Sequence, residues 1–75
     1  MPKLPAITGD QLVKALLQVG FVQIRQESSH VSLWRERDNQ HITVPVHRGK
    51  MIGKGLLNRI LKDIGLTVDD LKKLL

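Results

Sequence analysis

The 75-residue sequence contains no cysteine, and its only aromatic rings besides histidine are Phe21 and Trp34. The absence of cysteine excludes disulfides, thiolate metal sites and cysteine nucleophiles. Because small secreted domains usually depend on disulfides, we expect a protein of the reducing cytoplasm. With so few aromatic residues, the core must be built from leucine, isoleucine and valine, and a chain this short forms one domain, residues 1–75.

Long apolar runs and a balance of charge are also absent. No segment approaches the roughly 20 apolar residues of a membrane span, and residues 1–5 lack the apolar centre of a signal peptide, so we expect no segment that inserts into a membrane. Twelve lysine and arginine residues against seven acids give a formal net charge of +5. Such an excess favours a polyanionic partner, which could be nucleic acid, an anionic membrane or an acidic protein.

Three amphipathic helices are predicted. The first begins at Thr8-Gly9-Asp10-Gln11, which has the spacing of a capping box, and ends at Gly20. The second follows a glycine-containing loop and ends at Gly65. The third is short and is capped by Thr67. Their apolar stripes are Leu12, Val13, Leu16 and Leu17, then Leu56, Leu57, Ile60, Leu61 and Ile64, and finally Val68, Leu71, Leu74 and Leu75.

Three strands are predicted between the first two helices, over residues 21–26, 30–35 and 41–46. Short turns join them, so they should form an antiparallel meander. The fold class is therefore α+β, in the order α-β-β-β-α with a short C-terminal helix, and both main helices should cover one face of the sheet. The period of two places on that face Val22, Ile24, Val31, Leu33, Ile42 and Val44. The opposite face should be open and carry His30, Ser32, Trp34, His41 and Thr43.

His30 is the strongest candidate for chemistry. Histidine is the side chain whose ordinary pKa lies closest to neutrality, and His30 faces the solvent side directly after two serines. It could exchange protons with a ligand, or it could be a plain surface residue. His41 and His47 are weaker candidates, and no third ligand completes a metal site with them. We therefore expect neither a metal nor another cofactor.

A basic loop precedes the second helix and contains Arg48, Lys50 and Lys54 among glycines. Backbone amides, a helix N-terminus and cations together suit phosphate binding, although a loop that is basic only for solubility is the alternative. His47 at the start of this loop could contact phosphate or cap the end of the strand. Trp34 could stack on a base, cover a contact between subunits, or pack along arginine stems.

Taken together, these segments make the sequence resemble the HicA toxins, the RNA-cleaving halves of bacterial toxin–antitoxin pairs. The likeness spans nearly the whole chain. It rests on the order and spacing of Thr8-Gly9-Asp10-Gln11-Leu12, Gly20-Phe21, Arg25-Gln26-Glu27-Ser28-Ser29-His30, Ile42-Thr43-Val44-Pro45-Val46-His47, Lys50, Arg59-Ile60-Leu61-Lys62 and Gly65-Leu66-Thr67. The family motif Gly-Ser-His reads Ser28-Ser29-His30 here. The family's Gly-Thr-Leu-Arg reads Gly55-Leu56-Leu57-Asn58, with the positive charge moved to Arg59.

The resemblance implies a fold like that of double-stranded-RNA-binding domains and metal-independent cleavage of messenger RNA with His30 as the catalytic residue. It also implies a HicB-type antitoxin as protein partner, and an oligomer could form through that complex. Candidate RNA contacts are Lys50, Lys54, Arg48, His47, Arg25 and Arg59. The alternatives are a non-catalytic double-stranded-RNA-binding module, a domain that docks only an acidic protein and, with less support, a DNA-binding protein.

Overall fold

The computed structural model describes residues 3–75; Met1 and Pro2, which entered the signal-peptide argument, lie outside the described residues. The chain forms, in order, α1 (Gly9–Leu17), β1 (Val22–Glu27), β2 (His30–Arg35), β3 (Gln40–Pro45), α2 (Lys54–Ile64) and α3 (Val68–Leu74), with a 3-10 turn over Glu36–Asp38. The three strands form one antiparallel sheet in the order β1-β2-β3. The predicted α+β order is confirmed.

Side-chain capping starts two of the helices where the sequence predicts it. The Thr8 hydroxyl accepts from the Gln11 N–H at 3.3 Å, and the Gln11 side chain accepts from the Thr8 N–H at 2.9 Å. Thr67 and Asp70 repeat this arrangement at the start of α3, at 3.0 and 3.1 Å. These bonds satisfy amides that a helix leaves without partners and so set where each helix begins. The hydrogen bonds from the Thr67 backbone and side chain also lower the pKa of the Asp70 carboxyl.

The core lies between the sheet and the helices. Val31 and Leu33 of β2 and Ile42 and Val44 of β3 are buried against the helices, as predicted. The helices contribute Leu12, Val13, Ala15 and Leu16 from α1, Leu57, Ile60, Leu61 and Ile64 from α2, and Leu71 from α3. No helix covers the opposite face, where His30, His41 and Thr43 are exposed. We call this surface the open face.

Strand β1 corrects one part of the prediction. Val22 and Ile24 were expected in the core, but they are 50% and 53% exposed. The register shifts between Gln23 and Arg25, so the chain bulges at Ile24 and the alternation of side chains is broken. Val22 consequently pairs with Trp34 on the open face. Every residue of β1 is exposed, which shows that the helices pack on β2 and β3 and leave this edge strand uncovered.

Arg35 joins the C-terminal ends of α1 and α2 to the end of β2. Although charged, it is only 4% exposed. Its guanidinium binds both carboxylate oxygens of Asp38, at 2.7 and 3.0 Å, and donates to the carbonyls of Val19 at 3.3 Å and Ile64 at 3.4 Å. It also lies over the Phe21 ring, 4.6 Å from the centroid. These contacts satisfy helix-end carbonyls that would otherwise lack donors.

The pair formed by Arg35 and Asp38 also shifts both pKa values. The hydrogen bonds from Arg35, with its positive charge, lower the pKa of the Asp38 carboxyl below its ordinary value of 3.8. The same hydrogen bonds and the charge of Asp38 raise the pKa of the Arg35 guanidinium. The sequence predicts Arg35 only as the last residue of a strand, because its burial depends on two helix ends that are distant in the chain.

The longest helix within residues 3–75, α2, has 11 residues. None of the helices in this range therefore has the length and apolarity to cross a bilayer.

Candidate functional site

His30 is the first residue of β2 and its side chain is exposed on the open face. In the sheet it lies opposite Glu27 of β1 and Pro45 of β3. The alternation of β2, with Val31 and Leu33 buried, fixes the imidazole on the side away from the core. His30 is thus accessible to a ligand and sits on a strand whose neighbours on both sides hold it in place.

The turn that precedes His30 has a constrained backbone. Ser28 and Ser29 alone connect β1 to β2, and Ser28 adopts a positive φ of 52°. A positive φ at only the first of two turn residues is the pattern of a type II′ turn, which favours glycine there. The Gly-Ser-His motif of the resemblance has glycine at this position, and glycine adopts a positive φ without strain. Ser28 adopts the same conformation at some cost in strain, and the pairing of Glu27 with His30 is kept.

The basic loop, residues 46–53, leaves the sheet beside this turn. The Val46 N–H donates to the Ser29 carbonyl at 2.6 Å, so the end of β3 is held against the residue before His30. The chain then turns tightly, with the Lys50 N–H donating to the His47 carbonyl at 3.0 Å. His47, Arg48 and Lys50 are all exposed on this turn. The fold therefore brings three of the predicted RNA contacts to the end of the sheet that carries His30, which we call the His30 end.

Both main helices begin at the His30 end. Gly9, the first residue of α1, packs so closely on the sheet that a Cβ atom there would lie 2.3 Å from the Pro45 carbonyl oxygen. The Ile52 N–H donates to the Ile7 carbonyl at 2.8 Å, which ties the start of α2 to the start of α1. Lys54 is the first residue of α2 and is exposed. The positive ends of two helix dipoles and several cations therefore share one end of the molecule.

Two predicted contacts lie elsewhere. Arg25 is on the open face opposite Ser32, where its guanidinium forms an ion pair with Glu27. Arg59 is exposed on α2, about 7–8 Å along the helix axis from Lys54 by the rise per residue. The structure does not bring these two arginines to the basic loop, although both are accessible.

Glu27 is a neighbour of His30 that was not predicted from the sequence. It was assigned to a turn, but it is the last residue of β1 and lies directly opposite His30 on the open face. Residues paired in this way have Cβ atoms about 4.5–5.5 Å apart. The signal was present in the spacing, because a two-residue turn makes the residues on either side of it cross-strand partners. Within residues 3–75, no group of three or more histidine, aspartate and glutamate side chains is placed to hold a metal ion.

Fold and site together define a small α+β protein with an uncovered sheet face and a positively charged end around an accessible histidine. The model of the family described as the HicA toxin of bacterial toxin–antitoxin systems matches residues 9–66. The chain therefore belongs to the HicA toxin family. The matched region runs from the first residue of α1 to just past α2 and includes His30 and the basic loop, while α3 lies outside it. No curated protein sequence matches the chain.

Proposed function

We propose that this toxin is a metal-independent endoribonuclease that cleaves messenger RNA with His30 as its general acid or base. The toxin role follows from the family. The observation that carries the proposed chemistry is the position of His30, which is exposed on a fixed strand at the same end as His47, Arg48 and Lys50. An imidazole beside a group of cations suits proton transfer at an RNA phosphate. Because messenger RNA is the proposed substrate, we propose that the toxin acts in the cytoplasm. We also propose that residues 1–75 form one toxin domain.

The proposed reaction uses a nucleophile that the RNA itself supplies. The ribose 2′-oxygen attacks the adjacent phosphorus, a bond to the 5′-oxygen of the next nucleotide breaks, and a 2′,3′-cyclic phosphate and a free 5′-hydroxyl result. One proton leaves the 2′-hydroxyl and one reaches the departing 5′-oxygen. His30 would perform one of these two transfers. The group that performs the other is unassigned; His47, a lysine, water and the neighbouring Glu27 are its candidates.

The cations of the His30 end would bind the substrate and stabilise the charge that grows on the reacting phosphate. We assign this role to Lys50, Lys54, Arg48 and His47, and we assign Arg25 and Arg59 to phosphates farther along the RNA. Binding that depends on phosphates weakens with salt. If about five phosphates are engaged, the slope of log K against log salt should be roughly −3.5 for a single strand.

The decisive experiment compares His30→Ala with His41→Ala. Both histidines are exposed on the open face, but His41 lies opposite Trp34, at the far end of the sheet. In the presence of EDTA, wild type and His41→Ala should cleave labelled RNA at saturating substrate, whereas His30→Ala should bind RNA without shortening it. His30→Ala should also lose growth arrest while keeping the fold. Retained cleavage or toxicity in His30→Ala would remove His30 from the mechanism.

The same comparison separates an enzyme from the non-catalytic RNA-binding alternative. An RNA-binding module would shift labelled RNA in a gel and leave its length unchanged, with no difference between wild type and His30→Ala. A chain that showed no affinity for RNA even at low salt would instead favour a domain that docks only a protein.

We propose a HicB-type antitoxin as the protein partner, with an acidic surface that covers the His30 end. The net charge of +5 suits an acidic inhibitor. Higher oligomers would form through this complex. His30→Ala should still bind the antitoxin, because removing one imidazole leaves the cations of the basic loop in place; loss of the complex in a folded variant would contradict this assignment.

A further inference from the structure

We propose that the open face binds single-stranded RNA, with Trp34 as a stacking platform for a base near the cleaved phosphate. This inference rests on the proposed function, because it describes how the substrate of the His30 site is held. Its observations are separate, since they concern the end of the open face that lies away from the basic loop.

The open face consists of three rows of side chains that cross the strands. His30 lies in the first row, with Glu27 and Pro45, and Ser32 in the second, with Arg25 and Thr43. The third row, which we call the distal row, contains Val22, Trp34 and His41. Trp34 lies four residues along β2 from His30, or about 13 Å at the usual rise per residue. A few extended nucleotides span that distance.

The Trp34 ring is held in place from the side. Its indole N–H donates to the Asn39 side-chain oxygen at 2.8 Å. Asn39 closes the turn between β2 and β3 with a positive φ of 51°, a conformation that asparagine tolerates better than most residues. The Trp34 side chain is half-buried on the open face, and its one polar atom is already satisfied by Asn39. The part of the ring that remains exposed therefore offers an apolar surface, which is what base stacking requires.

The surroundings of Trp34 fit a nucleic acid better than a protein. The residues in the rows beside Trp34 are mainly hydroxyls and imidazoles with one arginine, and the exposed apolar side chains of β1 are Val22 in its row and Ile24 at the bulge. The acid on this face, Glu27, is already paired with Arg25. The centre of a protein interface is more apolar than this, whereas an isolated aromatic among cationic and polar groups is typical of surfaces that bind single strands. The rows also lead without interruption to His30.

The experiment uses the fact that Trp34 is the only tryptophan in the sequence. The probe is a short single-stranded oligonucleotide with 2′-O-methyl riboses, which cannot undergo attack by a 2′-hydroxyl. We expect saturable quenching of the wild-type fluorescence as this strand binds. The same oligonucleotide as a duplex, and inorganic polyphosphate of matched charge, should quench little, because neither offers an unpaired base.

Three variants test whether the stack contributes to affinity. By fluorescence anisotropy, Trp34→Ala should bind the single strand at least about five-fold more weakly, given the usual contribution of one stacked base. Trp34→Phe, which keeps a smaller ring, should lose less. Asn39→Gly allows the same positive φ at residue 39 but removes the acceptor of the indole N–H. Its affinity for the single strand should therefore fall between those of wild type and Trp34→Ala. The matched control is Leu17→Ala, an exposed apolar residue of α1 on the helical side, which should bind normally. Thermal melts identify any variant that fails to fold.

Several results would contradict base stacking on Trp34. Binding without quenching, equal quenching by polyphosphate or duplex, or unchanged affinity in a folded Trp34→Ala would each overturn it. Quenching seen only with an acidic protein partner would assign the face to that partner instead. The proposed function is tested separately, with unmodified RNA. If wild type binds RNA with quenching but never cleaves it, Trp34 stacking is retained and the endoribonuclease activity is contradicted. If Trp34→Ala cleaves RNA normally with an unchanged KM, the activity is retained and Trp34 stacking is contradicted.

Discussion

Replacing Gly9 with alanine should destabilise this protein, although glycine-to-alanine changes in helices usually stabilise. The usual gain comes from the lower conformational entropy of alanine in the unfolded chain and is about 0.5–1 kcal/mol. At Gly9 the new Cβ would lie 2.3 Å from the Pro45 carbonyl oxygen and 2.9 Å from the Val46 Cα. Both atoms belong to the backbone, so no side-chain rotation can relieve the contact.

The magnitude follows from the displacement that the new atom imposes. Folded proteins show essentially no Cβ contacts under 3.0 Å, so α1 and the end of β3 must move apart. Such overpacking typically costs 1–3 kcal/mol. Because the clash is with backbone atoms, the cost should lie in the upper part of that range, about 2–3 kcal/mol, and a gain of about 1 kcal/mol leaves a net loss of about 1–2 kcal/mol. For a chain of this size that loss corresponds to a fall in Tm of roughly 5–15 °C.

The matched control is Gly55→Ala in the first turn of α2, where a Cβ would meet no atom within 4 Å. It should raise the free energy of unfolding by about 0.5 kcal/mol. Thermal and urea unfolding followed by far-UV circular dichroism would give both values. Because Pro45 lies opposite His30, Gly9→Ala should also slow RNA cleavage at temperatures where the variant is fully folded. A Gly9→Ala variant as stable as Gly55→Ala would refute the close-packing argument.

Three further predictions concern stability. Ser28→Gly should raise the free energy of unfolding by on the order of 0.5–1 kcal/mol, since glycine relieves the positive φ but has a more flexible unfolded state; a lower Tm would contradict this. Arg35→Met should lower it by about 2–4 kcal/mol in urea titrations, because the carbonyls of Val19 and Ile64 lose their donor, and Arg35→Lys should restore only part. A loss under about 1 kcal/mol would show that the guanidinium contributes little. The pKa of Asp38 is lowered in the fold, so its carboxylate stabilises the protein at pH values above the ordinary pKa of 3.8, and this contribution is lost as the pH falls through the lowered pKa. The Tm difference between wild type and Asp38→Asn should therefore shrink on acidification. A difference that stays constant with pH would exclude this linkage.

The open face was predictable because it depends on local geometry. In a strand, successive side chains point to opposite sides, so burial of Val31 and Leu33 places His30 and Trp34 on the face away from the core. The capping boxes at Thr8 and Thr67 are equally local, since each joins residues three apart. Residue types and spacing were therefore enough to predict the order of the elements and the exposure of His30.

The bulge in β1 and the burial of Arg35 were decided only by tertiary structure. A bulge depends on how an edge strand pairs with its neighbour, so the alternation of Val22 and Ile24 wrongly predicted both side chains to be buried. Arg35 can be buried because two helix ends and Asp38 surround it, and no short-range sequence pattern predicts that these groups lie close together. The proximity of the basic loop, the start of α1 and His30 has the same origin. Its contacts join residues distant in the chain, and only the packing of helices on a sheet brings them together.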